Sequence, residues 1–135
     1  MPCSFNTAGP CVQSDHYMLD PLARLDVDEV LRLIDDKRYF VLHAPRQTGK
    51  TTSLIALMKR LNDEGRYRAL YANIEAAQAA RGDVAMGIGA VVQAIARQCR
   101  DLTGDGSMLS WLDSHRADNP GDLLSGLLSH WAQVD

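Results

Sequence analysis

The sequence predicts an α/β fold, a three-layer αβα domain with few parallel strands and about four helices. Three observations predict it. Residues 39–43 (Tyr39, Phe40, Val41, Leu42, His43) are almost wholly apolar, as suits a strand covered on both faces. A small-residue loop follows and opens at Gly49 into a helical pattern that Gly65 stops. A second strand-like run, from about Arg68 to Ile74, then alternates Leu70, Ala72 and Ile74 with Ala69, Tyr71 and Asn73. Strand, loop, helix, strand is the order that builds a parallel sheet with right-handed crossovers.

Residues 1–22 carry no helical or strand period and read as an extended N-terminal arm. Asn6 to Pro10 suits a turn, and the stretch from His16 to Pro21 an extended lead into the domain at 23–135. Asp26 is placed to cap a first helix, with Glu29 in capping-box position. Val27, Val30, Leu31 and Ile34 give that helix one apolar face, ending near Lys37. The helix from Gly49 to Glu64 has Leu54, Ile55, Leu57, Met58 and Leu61 as its stripe. Asp83 can cap a third, longer helix with Val84, Ile88, Val91, Val92, Ile95 and Cys99 inward, reaching about Leu102. Gly87 and Gly89 cost that helix about 1 kcal/mol each against alanine, which points to close packing or a soft point there. A short helix spans Met108 to His115. A last one follows Pro120, with Leu123, Leu124, Leu127, Leu128 and Trp131 on one side. His115 and His130 belong to no constellation and read as surface or packing residues.

The bulk properties are those of a soluble globular chain: 135 residues, 46% hydrophobic and 23% charged. A net charge of −3 gives no electrostatic case for a general nucleic-acid binder, leaving only a local basic patch open. Cys3, Cys11 and Cys99 cannot all pair internally, no Cys/His spacing is that of a zinc finger, and reduced thiols in a cytoplasmic protein are expected. The N-terminus lacks a basic flank and apolar run, so no signal peptide is expected. The most apolar stretch, Met86 to Ala96, is too short to span a bilayer.

The chemistry concentrates in Ala44, Pro45, Arg46, Gln47, Thr48, Gly49, Lys50, Thr51 and Thr52. Ala44-x-x-x-x-Gly49-Lys50-Thr51 between a strand and a helix is the pattern of a phosphate-binding loop, with alanine in place of the usual first glycine. Amides from about Thr48 to Thr52 would converge on phosphate oxygens, with the positive end of the helix dipole behind them. Gly49 lets the backbone approach the anion. Lys50 is placed to reach the β- and γ-phosphates, and the Thr51 hydroxyl to ligate Mg²⁺. The pattern calls for ATP and Mg²⁺ as cofactors. No apolar strand ending in Asp or Asp-Glu follows the loop, so the catalytic residues are unknown and hydrolysis by this chain alone is not expected. Glu75, at the end of the second run, reads as a solvated acid opening the next loop.

The segments from Phe5 to Pro10 and at His16-Tyr17, the run and loop from Tyr39 to Thr51, and the stretch from Leu70 to Arg81 resemble prokaryotic AAA-like ATP-binding proteins. These are P-loop ATPases related to the signal-transduction (STAND) NTPases and the origin-recognition ATPases. The resemblance implies an incomplete P-loop NTPase domain whose sequence stops before the acidic strand. It also implies strands one and two separated by later strands, and an arm near the adenine, where Tyr17, Leu19 and Pro21 are the nominees. A different class of function stays open: a nucleotide-dependent switch or homo-oligomerisation module, with the apolar stripe at 123–131 as partner surface. So does a truncated product with no function of its own.

Overall fold

A computed structural model describes residue 5, residue 14 and residues 19–133. Its elements are α1 (Val27–Asp35), α2 (Lys50–Glu64), a 3-10 helix (Glu75–Ala80), α3 (Val84–Thr103), α4 (Ser107–Ser114) and α5 (Pro120–Gln133). Among the described residues there is no strand. The α/β, three-layer reading is therefore corrected: the described residues are helical where regular, and the chain falls into two compact units that meet in sequence between Ala69 and Leu70.

The reason lies in what apolar alternation can and cannot specify. From Arg38 to Pro45, and again from Tyr67 to Asn73, the chain has no helix, turn or bend. A strand also needs a neighbour for its N–H and C=O groups, and neither segment lies in a ladder. Tyr39 is fully exposed and Val41 is 89% exposed, the opposite of a strand covered on both faces. In the second segment, side chains take over the backbone bonding. Asn62 closes both polar groups of Ala69. The Gln98 amide, with its nitrogen turned toward Tyr71, donates to the Tyr71 carbonyl at 2.7 Å and accepts from the Asn73 N–H at 3.1 Å.

In the first unit, α1 starts where expected: Asp26 caps it by accepting from the Glu29 N–H at 3.1 Å. It ends on Lys37, whose φ of +56° is left-handed. The Lys37 N–H bonds the Ile34 carbonyl (2.9 Å) and the Arg38 N–H the Leu33 carbonyl (2.8 Å). These are the two bonds of a Schellman cap, with lysine where glycine is usual. Val30 of α1 and Leu57 and Leu61 of α2 form a small apolar cluster with Leu22, Leu25, Leu31, Ile34, Tyr67 and Ala69 around it. Of the predicted α2 stripe, Leu54, Ile55 and Met58 are only half-buried, because no sheet covers them.

The second unit is a three-helix core. Asp83 caps α3 through the Met86 N–H at 3.0 Å. Val92, Ala96 and Cys99 of α3, Met108 and Leu112 of α4, and Leu123 and Leu127 of α5 fill the centre. Val84, expected inward, is 72% exposed at the helix start. Trp111 packs between helices with His115 stacked on it at 4.0 Å and His130 at 6.0 Å, so the two histidines are packing residues. Among the described residues no helix is long and apolar enough to cross a membrane.

Candidate phosphate-binding loop

All nine residues of the predicted site, 44–52, fall in the first unit and form one continuous loop and helix start. The chain turns at Arg46 and Gln47, where Gln47 takes a left-handed φ of +58°. Gly49 is also left-handed, at +83°, and is the N-cap of α2. A side chain there would be strained by the backbone alone, which explains the glycine. Thr48 Oγ1 donates to the Pro45 carbonyl at 2.8 Å and ties the two ends of the turn.

Lys50 folds back over this turn. Its Nζ donates to the carbonyls of both Ala44 and Pro45, each at 2.6 Å. The ammonium is held by neutral oxygens of the loop and makes no ion pair among the described residues. The first bond inside α2 runs from the Ser53 N–H to the Gly49 carbonyl at 2.9 Å. Ahead of it, the N–H groups of Lys50 and Thr51 have no acceptor within the helix. Gly49 offers no side-chain cap and the first turn holds no acid. By contrast, α1 and α3 have Asp26 and Asp83 over their first amides. The start of α2 therefore presents donors, a cation and the positive end of a dipole without a built-in anion. Thr51 is exposed and Thr52 half-buried at this end. Among the described residues no group of three His, Cys, Asp or Glu side chains is gathered as for a metal.

Ser53 is the residue that sequence reasoning missed. It is the buried polar side chain of this unit, and its Oγ donates to the Pro21 carbonyl at 2.7 Å. That bond fastens the arm beside the first turn of α2, with Asp20 accepting from the Leu22 N–H at 2.9 Å to shape the bend. The signal was available: Ser53, Leu57 and Leu61 lie four residues apart, so the serine stands on the buried row. Of the nominated arm residues, Pro21 is brought to α2 and Leu19 is 78% exposed, while Tyr17 lies outside the described residues. So do Cys3, Cys11 and His16 and the turn at 6–10. Glu75 is exposed, at the start of the 3-10 helix. In the second unit the stripe at 123–131 is largely taken up by the core: Leu123 and Leu127 are buried, Leu124 and Trp131 pack on them, and Leu128 is 44% exposed.

No family model, curated protein or solved structure matches the chain.

Proposed function

We propose that residues 44–52 are a phosphate-binding loop that holds ATP with Mg²⁺, and that this chain binds the nucleotide without cleaving it. The observation that carries the reading is the start of α2 on left-handed Gly49, uncapped, with Lys50 held across the preceding loop. On binding, Lys50 would exchange two neutral carbonyl acceptors for charged phosphate oxygens, a stronger hydrogen bond. The amides of the first turn would take further phosphate oxygens, and the exposed Thr51 hydroxyl would complete the shell of the magnesium ion. Mg²⁺ supplies charge neutralisation between the phosphates. Cleavage would further require an acid to position water, and no apolar strand ending in Asp or Asp-Glu follows the loop in the sequence.

The test is a titration with a fluorescent ATP analogue in the presence of Mg²⁺. Saturable binding is expected, weakened about tenfold or more by Lys50→Ala, as for loss of a hydrogen bond to a charged group. Equal affinity in Lys50→Ala overturns the site. Phosphate release above blank that disappears in Lys50→Ala overturns the absence of turnover.

A further inference from the structure

The charge of the chain is unevenly spread. Between residues 37 and 62 there are six Lys or Arg residues and no Asp or Glu, although the whole chain has a net charge of −3. The cations are not confined to the phosphate-binding loop. Lys37 and Arg38 precede it by several residues, and with Arg46 they are exposed and make no ion pair among the described residues. Between them the chain has no turn or bend and displays its rings: Tyr39 is fully exposed, and Val41 and His43 are exposed beyond it. Phe40, Leu42 and Ala44 are less exposed than their neighbours, so Tyr39, Val41 and His43 form one outward row with the period of two of an extended chain, flanked by cations at both ends.

We propose that residues 37–46 form a binding surface for single-stranded nucleic acid, with Tyr39 as the stacking platform and Lys37, Arg38 and Arg46 as phosphate contacts. A basic track interleaved with an open aromatic face is what an unpaired strand requires, since every base can stack and every nucleotide brings a phosphate. Duplex is a poorer fit: a single stretched segment is neither the helix nor the two-stranded ribbon that fills a major groove. The charge selects a polyanion over an apolar peptide strand, which would gain nothing from three exposed cations. Lys37 holds a left-handed backbone where glycine is favoured, so its side chain is kept at a conformational cost. The proposal does not depend on nucleotide binding at Lys50.

Fluorescence anisotropy with fluorescein-labelled oligo(dT) of about 20 nucleotides tests it on the full chain. Binding at low salt is expected, with a slope of log affinity against log salt of about −2 for three phosphate contacts on a single strand. Tyr39→Ala is expected to weaken binding about tenfold, and Lys37→Gln with Arg38→Gln to flatten the slope to about −1. Far-UV circular dichroism and Mg-ATP affinity should be unchanged in Tyr39→Ala, whose side chain is wholly in solvent. Absence of binding at low salt overturns the proposal, as does equal affinity in Tyr39→Ala. Binding to phosphatidylserine vesicles that the oligonucleotide does not compete away also overturns it, in favour of a membrane surface.

Discussion

The side-chain amide of Asn62 closes both backbone groups of Ala69: its Oδ1 accepts the Ala69 N–H at 2.8 Å and its Nδ2 donates to the Ala69 carbonyl at 3.0 Å. One residue of α2 thus supplies what a neighbouring strand would have supplied. Because Asn62 is exposed, water competes for both bonds, and Asn62→Ala is expected to cost about 1 kcal/mol rather than the full sum of two. Hydrogen exchange at the Ala69 amide reads this directly, with protection falling about fivefold. Unchanged protection would show that the amide bridge does not hold the segment.

Two glycines in the second unit are expected to respond in opposite directions to alanine. A Cβ on Gly89 meets nothing within 4 Å, so Gly89→Ala should stabilise α3 by about 1 kcal/mol. A Cβ on Gly126 would lie 2.8 Å from Cη2 and 3.0 Å from Cζ2 of Trp111, a ring already stacked on His115. Moving that ring costs about 1–3 kcal/mol, which outweighs the helical gain. Gly126→Ala should therefore be less stable than the parent. Both tryptophans, Trp111 and Trp131, belong to this unit, so the urea midpoint of their fluorescence separates the two outcomes. A rise in midpoint for Gly126→Ala would mean the Trp111 ring is free to move.

These positions show which parts of the molecule were legible in the sequence. The helices were: Asp26 and Asp83 cap as expected, because a cap is a contact between residues three apart. Gly65 takes the left-handed conformation that its place after the end of α2 calls for. The strands were misread because pairing is not local. Nothing in residues 39–43 says whether a partner is present, and alternation in residues 68–74 cannot foretell that Asn62 and Gln98 will take up the backbone groups. At the loop, residue types and order were legible, but the Ser53 bond to Pro21 joins residues 32 apart and was not. Gly87 and Gly89 point in the sequence to close packing or to a soft point. A Cβ on Gly87 would meet Ala80 Cβ at 3.6 Å, an ordinary contact, so neither glycine is required by space.

A pH dependence is expected at the end of α1. The Tyr67 hydroxyl donates to Asp35 Oδ1, which also accepts from Arg66 Nη2 at 3.1 Å. The hydrogen bond to Asp35 pushes the Tyr67 phenol above the ordinary tyrosine range. Desolvation and the Asp35 charge act the same way, and Arg66 opposes them. Tyr67 holds its proton more tightly in the folded chain, so its contribution to stability is complete below the unfolded value of about 10. That contribution is lost as pH rises through the higher folded value, leaving neutral pH unaffected. Tyrosinate absorbance should show a late-titrating component that Tyr67→Phe removes and Asp35→Asn shifts to lower pH. A titration identical in Asp35→Asn would dissociate the shift from the carboxylate.

The seating of the arm is expected to respond to the Ser53 hydroxyl. Ser53 is buried, and its Oγ donates to the Pro21 carbonyl at 2.7 Å, which joins the arm to α2. Ser53→Ala removes the donor but keeps the helix propensity, leaving the carbonyl of half-buried Pro21 without that partner. A net loss of about 1 kcal/mol follows from such a deletion, and it should be felt at one place. Hydrogen exchange of the amides of Leu22 and Ala23 should speed up about fivefold, while those in the middle of α2 change little. If the arm also flanks the bound nucleotide, Ser53→Ala lowers Mg-ATP affinity by the fraction of time the arm is displaced, with the Lys50 contacts intact. Slower or unchanged exchange at Leu22 and Ala23 would show that the apolar contacts of Leu22 and Leu25 with α1 and α2 suffice to seat the arm.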